Sequence, residues 1–153
     1  MKLALITGAS KGIGRSTAIT FANAGWDLIL LSRDLEMMEI LRDELLDTQS
    51  KINLVKCDLL NPKDVENSVK ESIRKFGCPT VLINNAGCAF NGNLVETPLK
   101  IWQEIIQINL TSIFQICGLV VPYMRKSGGL IINVSSHASY NVFPKWGAYC
   151  VSK

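Results

Sequence analysis

The sequence lacks several features that would assign it to a particular class of protein. It has no uninterrupted run of eighteen apolar residues, no run of five like charges and no CxxC pair. No membrane span is therefore expected, and Leu3 to Ile6 are too few apolar residues for a signal-peptide core. The 16 scattered Lys and Arg residues form no electrostatic footprint for nucleic acid. Five widely spaced cysteines favour reduced thiols over disulfides or a metal site, which predicts a cytoplasmic location and no bound metal.

Short apolar segments alternate with longer amphipathic segments along the whole chain. The pattern predicts five strands that are apolar on both faces, separated by helices, and therefore a parallel sheet covered on both sides. The predicted strands are residues 3–7, 26–32, 52–57, 80–84 and 130–134, and the predicted helices are 13–24, 34–49, 62–76, 98–124 and one that begins between Pro144 and Gly147.

These elements predict an α/β fold, namely a doubly wound parallel sheet of Rossmann type. Such a fold in the strand order 3-2-1-4-5-6 needs at least one more strand, so five are present of an expected six or seven. We expect residues 1–153 to form a single dinucleotide-binding domain that is truncated on its C-terminal side.

A glycine-rich segment, TGASKGIG, lies where the first strand becomes the first helix. Gly8, Gly12 and Gly14 would let the backbone turn tightly and let a pyrophosphate approach the helix N-terminus. The same segment contains G-x-S-x-G around Ser10, the pattern of a serine-hydrolase nucleophile, and Asp58 and His137 follow in hydrolase order. A serine hydrolase is therefore a remote alternative, because the nucleophile of such enzymes normally follows several strands rather than the first.

Four further motifs fall at the ends of predicted strands or on predicted helices. CDL (57–59) ends the third strand, NNAG (84–87) ends the fourth, and NVSS (133–136) ends the fifth. Asn109 lies within the long helix, and YCVSK (149–153) lies on the last helix. Residues i and i+4 share a helix face, so Tyr149 and Lys153 are placed to act together.

In order and spacing these motifs resemble the short-chain dehydrogenase/reductase family over the whole chain, up to its YxxxK motif. The resemblance implies hydride transfer between a nicotinamide and a carbonyl or alcohol. It implies that Tyr149 is the general acid/base, that Ser136 hydrogen-bonds the carbonyl oxygen, and that Asn109 orders a water connecting Lys153 to solvent. A phenol exchanges protons poorly at neutral pH, and Lys153 is expected to stabilise the phenolate and to hold the nicotinamide ribose.

The resemblance also implies a set of cofactor-binding residues. Gly8, Ser10, Gly12 and Ile13 should cradle the phosphates, Asp58 and Leu59 should meet the adenine, and Asn85, Ala86 and Gly87 should line the ribose. NAD enzymes normally carry an acidic residue at the end of the second strand. Here Ser32 and Arg33 stand at that position and Lys11 lies nearby in the glycine loop, so we expect NADP(H) to be preferred over NAD(H).

The substrate is not identified by the sequence beyond a small carbonyl or alcohol compound, with an apolar pocket suggested by Phe90, Tyr140, Val142, Phe143 and Trp146. We expect the 153-residue chain to be the N-terminal part of a longer reductase and to have little activity alone. A homo-oligomer is expected when the chain is complete. The non-enzymatic alternative is a fragment that binds a dinucleotide or a partner without turnover.

Overall fold

A computed structural model describes residues 2–153 and contains one parallel sheet of five strands, with helices along both faces. The strand order is β3-β2-β1-β4-β5, and every neighbouring pair is parallel. This order confirms the prediction of a doubly wound sheet. The strands are β1 (Leu3–Thr7), β2 (Asp27–Ser32), β3 (Ile52–Lys56), β4 (Val81–Asn84) and β5 (Leu130–Asn133).

The helices follow the predicted pattern, with ends that differ by a few residues. Asn61 accepts hydrogen bonds from the backbone N–H groups of Lys63 and Asp64, and Pro62 opens the third helix as predicted. The helices are α1 (Gly12–Asn23), α2 (Leu35–Glu44), α3 (Pro62–Phe76), α4 (Leu99–Ile106), α5 (Ser112–Met124) and α6 (Gly147–Ser152), with short 3₁₀ turns at Leu94–Glu96 and His137–Ser139.

The sheet separates two apolar clusters because alternate side chains of a strand point to opposite faces. Leu3 and Leu5 of β1 pack on the face covered by α3 and α5, and Ala4 and Ile6 pack on the face covered by α1 and α2. All five residues of β1 are buried, as expected for a central strand covered on both sides.

The second helix ends earlier than the sequence pattern predicts. Asp34 caps its first turn as predicted, by accepting a hydrogen bond from the Met37 N–H, but the helix stops at Glu44 rather than near Gln49. Beyond that point, Thr48 donates through both its N–H and its hydroxyl to the Leu45 carbonyl and closes a turn. Thr and Asp hydrogen-bond readily to nearby backbone, which favours such a turn over continued helix.

The predicted long helix is present from Leu99 to Met124, but a π-helical turn at Gln107–Thr111 divides it into α4 and α5. The mean hydropathy of one 18-residue window within these 26 residues is 1.7. By length and composition alone, this helix could cross a membrane. Only 28% of that window is buried, although the core helix of a protein that spans no membrane can pass the same test. The absence of a membrane span therefore stays a prediction.

The strand β5 is an edge strand that pairs only with β4 among the residues described. Leu130 and Ile132 on this strand are 55% and 38% exposed. Exposed apolar edge strands readily pair with further strands. The described residues form five strands, and the sixth or seventh strand expected from the sequence stays a prediction.

Burial of the Cys57 thiol predicts a specific pH dependence of stability. Cys57 follows β3 and is 1% exposed, and burial raises the pKa of its thiol from 9.0 to about 11. The folded protein therefore retains this proton in a range where the unfolded chain releases it, so the free energy of unfolding should fall as pH rises from about 9 to about 11. Urea unfolding across that range should show a shallower decline for Cys57→Ala than for Cys150→Ala, a control that removes a thiol from α6. Parallel declines in the two variants would contradict this assignment.

Candidate active site

The loop between β1 and α1 uses its glycines for two different reasons. Gly8 and Gly12 have φ angles of +66° and +56°, in the left-handed region that glycine adopts without strain. Gly14 has no room for a side chain, because a Cβ atom there would overlap the Gly8 carbonyl and the Asn85 side-chain amide. The loop therefore turns at its first two glycines and packs tightly at the third.

The glycine loop is fixed to the end of β4 by Thr7 and Asn85. The Thr7 hydroxyl accepts hydrogen bonds from the backbone N–H groups of Asn85 and Ala86, each at 3.0 Å. In return, the Asn85 Nδ2 donates to the Thr7 and Gly8 carbonyls at 2.9 and 3.2 Å. Thr7 was not among the predicted site residues, although its position beside the first glycine was visible in the sequence.

A cavity of about 260 Å³ opens at this point, above the carboxyl ends of β1, β2, β3 and β4. Ligands of open parallel sheets bind at such a position, where the strand order reverses. Its walls include ten of the predicted cofactor-binding residues: Gly8, Ser10, Lys11, Ile13, Arg33, Asp58, Leu59, Asn85, Ala86 and Gly87. Gly12 and Gly14 shape the loop without lining the cavity.

At the end of β2, the wall of this cavity carries a serine and an arginine rather than an acidic side chain. Ser32 donates to the Ser10 hydroxyl at 3.0 Å and accepts from the Asp34 N–H at 3.2 Å, so it braces the end of β2. The Asp34 carboxylate is used as the cap of α2. Arg33 and Lys11 are exposed, and neither has an ion-pair partner among residues 2–153.

A second cavity, of about 240 Å³, contains Tyr149 and Lys153. It shares four wall residues with the first cavity, so the two are adjacent parts of one cleft. The shared residues are Ile13, Asn85, Gly87 and Cys88.

The predicted catalytic residue Asn109 lies in the π-helical turn and is 2% exposed. Its Oδ1 accepts from the Cys88 N–H and its Nδ2 donates to the Cys88 carbonyl, both at 2.8 Å. The amide thus binds both backbone groups of the residue that follows the NNAG motif. The Asn109 Oδ1 and the Lys153 Nζ would each lie 3.4 Å from a Cβ atom on Gly87, so both face the same small space.

Tyr149 lies on α6 and Lys153 follows the last residue of that helix, and both side chains line the second cavity. The Lys153 Nζ lies 5.9 Å from the centre of the Tyr149 ring and donates to the Val134 carbonyl at 2.9 Å. Burial lowers the pKa of the Lys153 ammonium from its usual value of 10.5. The Trp146 ring packs edge-on against Tyr149, with 5.4 Å between the ring centres.

The two serines that follow β5 occupy different positions. Ser135 lines the second cavity and its hydroxyl donates to the Lys153 carbonyl at 3.3 Å. The predicted catalytic Ser136 does not line that cavity, and its hydroxyl accepts from the Ala138 N–H at 3.2 Å at the start of a 3₁₀ turn. The role of Ser136 toward a carbonyl oxygen therefore stays a prediction.

The hydrolase alternative has no geometric support among the residues described. The hydroxyl of Ser10 is bonded to Ser32, and the Asp58 carboxylate accepts from the Leu60 N–H. The imidazole of His137 is paired with the Asn141 side chain. None of the three residues hydrogen-bonds another, as a nucleophile–base–acid relay requires. Likewise, no group of three or more His, Cys, Asp or Glu residues within 2–153 could hold a metal ion.

Fold and site together define a doubly wound α/β protein with a tyrosine–lysine pair beside the cavity under the glycine loop. The family model described as short chain dehydrogenase matches residues 2–153. The chain belongs to this family.

Similar proteins share most of this chain but are longer than it. The chain is 36% identical to a 3beta-hydroxysteroid dehydrogenase of Mediterraneibacter gnavus over 99% of its own length and 55% of that protein's length. It is 33% identical to a 3-oxoacyl-[acyl-carrier-protein] reductase of Thermotoga maritima, covering 99% of this chain and 62% of the reductase. The chain thus spans little more than half the length of these curated relatives.

Solved structures agree with this assignment. A metagenomic short-chain oxidoreductase in complex with NADP matches with a TM-score of 0.95 and 29% identity, covering 99% of this chain and 70% of that one. An NAD⁺-bound xylitol dehydrogenase matches with a TM-score of 0.92 and 28% identity, covering 99% of this chain and 59% of that one. Neighbours of this fold therefore bind either dinucleotide.

The bonds between Asn85 and the glycine loop predict a selective loss of nucleotide binding on mutation. Replacing Asn85 with Ala should weaken NADPH binding by ~10-fold or more, because the loop loses two hydrogen bonds that hold it beside the cavity. The matched control is Asn53→Ala, since the Asn53 Nδ2 also donates to a backbone carbonyl, that of Leu28 at 3.0 Å, but lies outside the cavity. Fluorescence titration should show that Asn53→Ala binds NADPH as tightly as the unmutated protein does. Equal weakening in both variants would show that the effect is only a loss of fold stability.

Proposed function

We propose that the complete protein is an NADP(H)-dependent oxidoreductase that interconverts a carbonyl and an alcohol, with Tyr149 as the general acid/base. The observation that carries this proposal is the shared wall between the cavity under the glycine loop and the cavity of Tyr149 and Lys153. A dinucleotide bound along the first cavity would place its reactive end beside the tyrosine. The non-catalytic alternative, binding without turnover, does not explain why a tyrosine–lysine pair lies there.

The chain fits a dinucleotide in shape and in the chemistry of its donors. The backbone at Gly8 approaches Ala86 so closely that a Cβ atom on Gly8 would lie 2.8 Å from the Ala86 Cα, so no side chain projects beside the cavity at this position. The N-terminus of α1 begins at Gly12, and helix N-termini attract phosphate. When bound, the nicotinamide would supply or accept the hydride.

The chain's own residues would handle the proton. As a carbonyl is reduced, negative charge grows on its oxygen, and the Tyr149 hydroxyl would deliver a proton there. The Lys153 ammonium, 5.9 Å from the ring centre, would stabilise the phenolate that remains. We further propose that Asn109 holds a water next to Lys153 and that Ser136 binds the carbonyl oxygen.

Cationic side chains in the wall of the first cavity support NADP(H) as the preferred cofactor. Arg33 and Lys11 are exposed beside the cavity, and the neighbouring carboxylate of Asp34 accepts a bond from the backbone of α2. Ser32 and Arg33, and not Asp34, line the cavity at the end of β2, where NAD enzymes bind a ribose hydroxyl through an acidic side chain. An arginine fork suits a 2′-phosphate, to which it can donate two parallel hydrogen bonds.

Apolar side chains in the loops after β4 and β5 support an apolar substrate, and Trp146 is the one residue of the predicted apolar pocket that lines the second cavity. The side chains of Tyr140, Val142 and Phe143 are 72%, 93% and 41% exposed. The Gly92 N–H donates to the Lys145 carbonyl at 2.8 Å, which joins the loop after β4 to the loop after β5. We propose that the substrate is a small apolar ketone or alcohol held between these loops.

The remaining expectations stay predictions. The proposed homo-oligomer is supported by apolar side chains that project from α5 and the π-helical turn, among them Phe114 at 80% and Leu110 at 52% exposure. The cytoplasmic location and the low activity of the 153-residue chain alone are untested. The experiments below therefore use the protein expressed from its complete reading frame.

Cofactor preference can be tested at Arg33. Replacing Arg33 with Ala should weaken NADPH binding by about 10-fold to 100-fold, because charge-assisted hydrogen bonds to the 2′-phosphate would be lost, and should leave NADH binding unchanged. Arg74→Ala is the control, since this exposed arginine of α3 lies away from both cavities. The preference would be overturned if the unmutated protein bound NADH with an affinity equal to or higher than its affinity for NADPH.

Catalysis can be tested separately from binding at Tyr149. The Tyr149→Phe variant should lose at least ~100-fold in kcat for NADPH-dependent ketone reduction, because the proton donor is removed. Its affinity for NADPH should stay within a factor of about two, since the ring remains. Tyr123→Phe removes a hydroxyl from α5 and should retain full activity. A protein that binds NADPH but reduces none of a panel of apolar ketones would instead support the non-catalytic alternative.

A further inference from the structure

Tyr149 lies on the helix α6, Gly147–Ser152, and Lys153 follows that helix directly. Contacts between α6 and the rest of the fold therefore help to set the positions of Tyr149 and Lys153. Catalytic groups need to be held within about 0.5 Å of a productive geometry, so these contacts matter for the proposed reaction.

Ser152 makes such a contact from inside α6. Its side chain lies between the tyrosine and the lysine in sequence and is 5% exposed. The hydroxyl accepts a hydrogen bond from the Asn109 Nδ2 at 2.8 Å and donates its own hydrogen to the Tyr149 carbonyl at 2.8 Å. One buried hydroxyl therefore bonds the π-helical turn on one side and the backbone of the general acid/base on the other.

Asn109 extends this connection to Cys88, which lies in the segment after β4 and lines both cavities. The two hydrogens of its Nδ2 bond the Cys88 carbonyl and the Ser152 hydroxyl, while its Oδ1 accepts from the Cys88 N–H. Without the Ser152 oxygen, one amide hydrogen would be left unpaired in a site where Asn109 is 2% exposed. An unpaired buried donor is unfavourable, so the amide or α6 would have to move to find another acceptor.

We propose that Ser152 is a positioning residue for the reaction proposed above. It acts through Asn109 and through the Tyr149 backbone, and it fixes the distance between the Tyr149 phenol and the Lys153 ammonium. This inference rests on the proposed function, because the reaction is what makes that distance matter. The sequence alone indicates no such role, since a serine between the tyrosine and the lysine of YxxxK is more often a helix-packing residue than a reactant.

The principal test compares Ser152→Ala with Ser72→Ala. Ser72 is a matched control: it is 2% exposed, and its hydroxyl donates to the Ser68 carbonyl one turn earlier in α3, away from the site. Ser152→Ala should lower kcat by ~10-fold or more with the KM for NADPH nearly unchanged, as expected for loss of an interaction that matters in the transition state. Ser72→Ala should lower the unfolding temperature but leave both kcat and the KM for NADPH unchanged.

The pH profile distinguishes positioning from plain stability. When Lys153 moves away from the phenol, the phenolate is less stabilised, so the acidic, rising limb of the pH profile for alcohol oxidation should shift to higher pH by about half a unit or more. Ser152→Thr keeps the hydroxyl and should restore the profile, whereas Ser152→Cys keeps the volume but bonds weakly and should not. The Cys variant also serves if the Ala variant fails to fold. An unshifted profile in a folded Ala or Cys variant would overturn the proposal.

Two further measurements separate this proposal from the proposed function. The kcat losses of Ser152→Ala and Asn109→Ala should be non-additive in a double-mutant cycle, because both variants break the same bond. Amide hydrogen exchange at residues 149–153 needs no turnover and should accelerate in Ser152→Ala but not in Ser72→Ala. If the unmutated protein reduces no ketone, the proposed function fails while exchange still reports whether Ser152 holds the turn. Additive losses or unchanged exchange would overturn the positioning role.

Discussion

The paired contacts between Thr7 and Asn85 are the constraint on which the site depends. They join the carboxyl ends of β1 and β4, the two neighbouring parallel strands at which the strand order reverses. A parallel sheet leaves a crevice at such a place, but a crevice alone does not fix a loop. The Thr7 hydroxyl accepts two backbone N–H groups and the Asn85 amide donates to two backbone carbonyls, so two side chains hold the main chains of the two segments together with four hydrogen bonds.

The same segment continues into the part of the cleft that contains Tyr149 and Lys153. Three residues after Asn85, the Cys88 backbone binds Asn109, and Asn109 binds Ser152 on α6. Hydrogen bonds therefore lead from the glycine loop, along the end of β4, to the turn that carries Tyr149. The π-helical turn is consistent with this arrangement, since such turns re-aim a side chain within a helix and occur frequently at functional sites.

Much of this architecture could be predicted from the sequence because it depends on local pattern. Buried parallel strands are apolar throughout, and β1 was predicted with its observed ends. The π-helical turn could not be predicted, because residues 99–124 follow an apolar pattern that an unbroken helix satisfies equally well. The early end of α2 and the different surroundings of Ser135 and Ser136 depend on backbone turns whose competing hydrogen bonds are close in energy. Sequence motifs thus identified residues that line one cleft, while their hydrogen-bond partners could be seen only in the structure.

The hydrogen-bond partner of Lys153 explains how a half-buried ammonium can keep a positive charge that acts on Tyr149. Burial lowers the pKa of this ammonium and so opposes the charge that the proposed chemistry needs. A carboxylate partner would restore the charged form, but its negative charge would cancel the field that reaches Tyr149. The Val134 carbonyl, which accepts from the Lys153 Nζ at 2.9 Å, instead solvates the ammonium with a neutral dipole. The positive charge is therefore supported without being neutralised, and it can act on the phenol across the cleft.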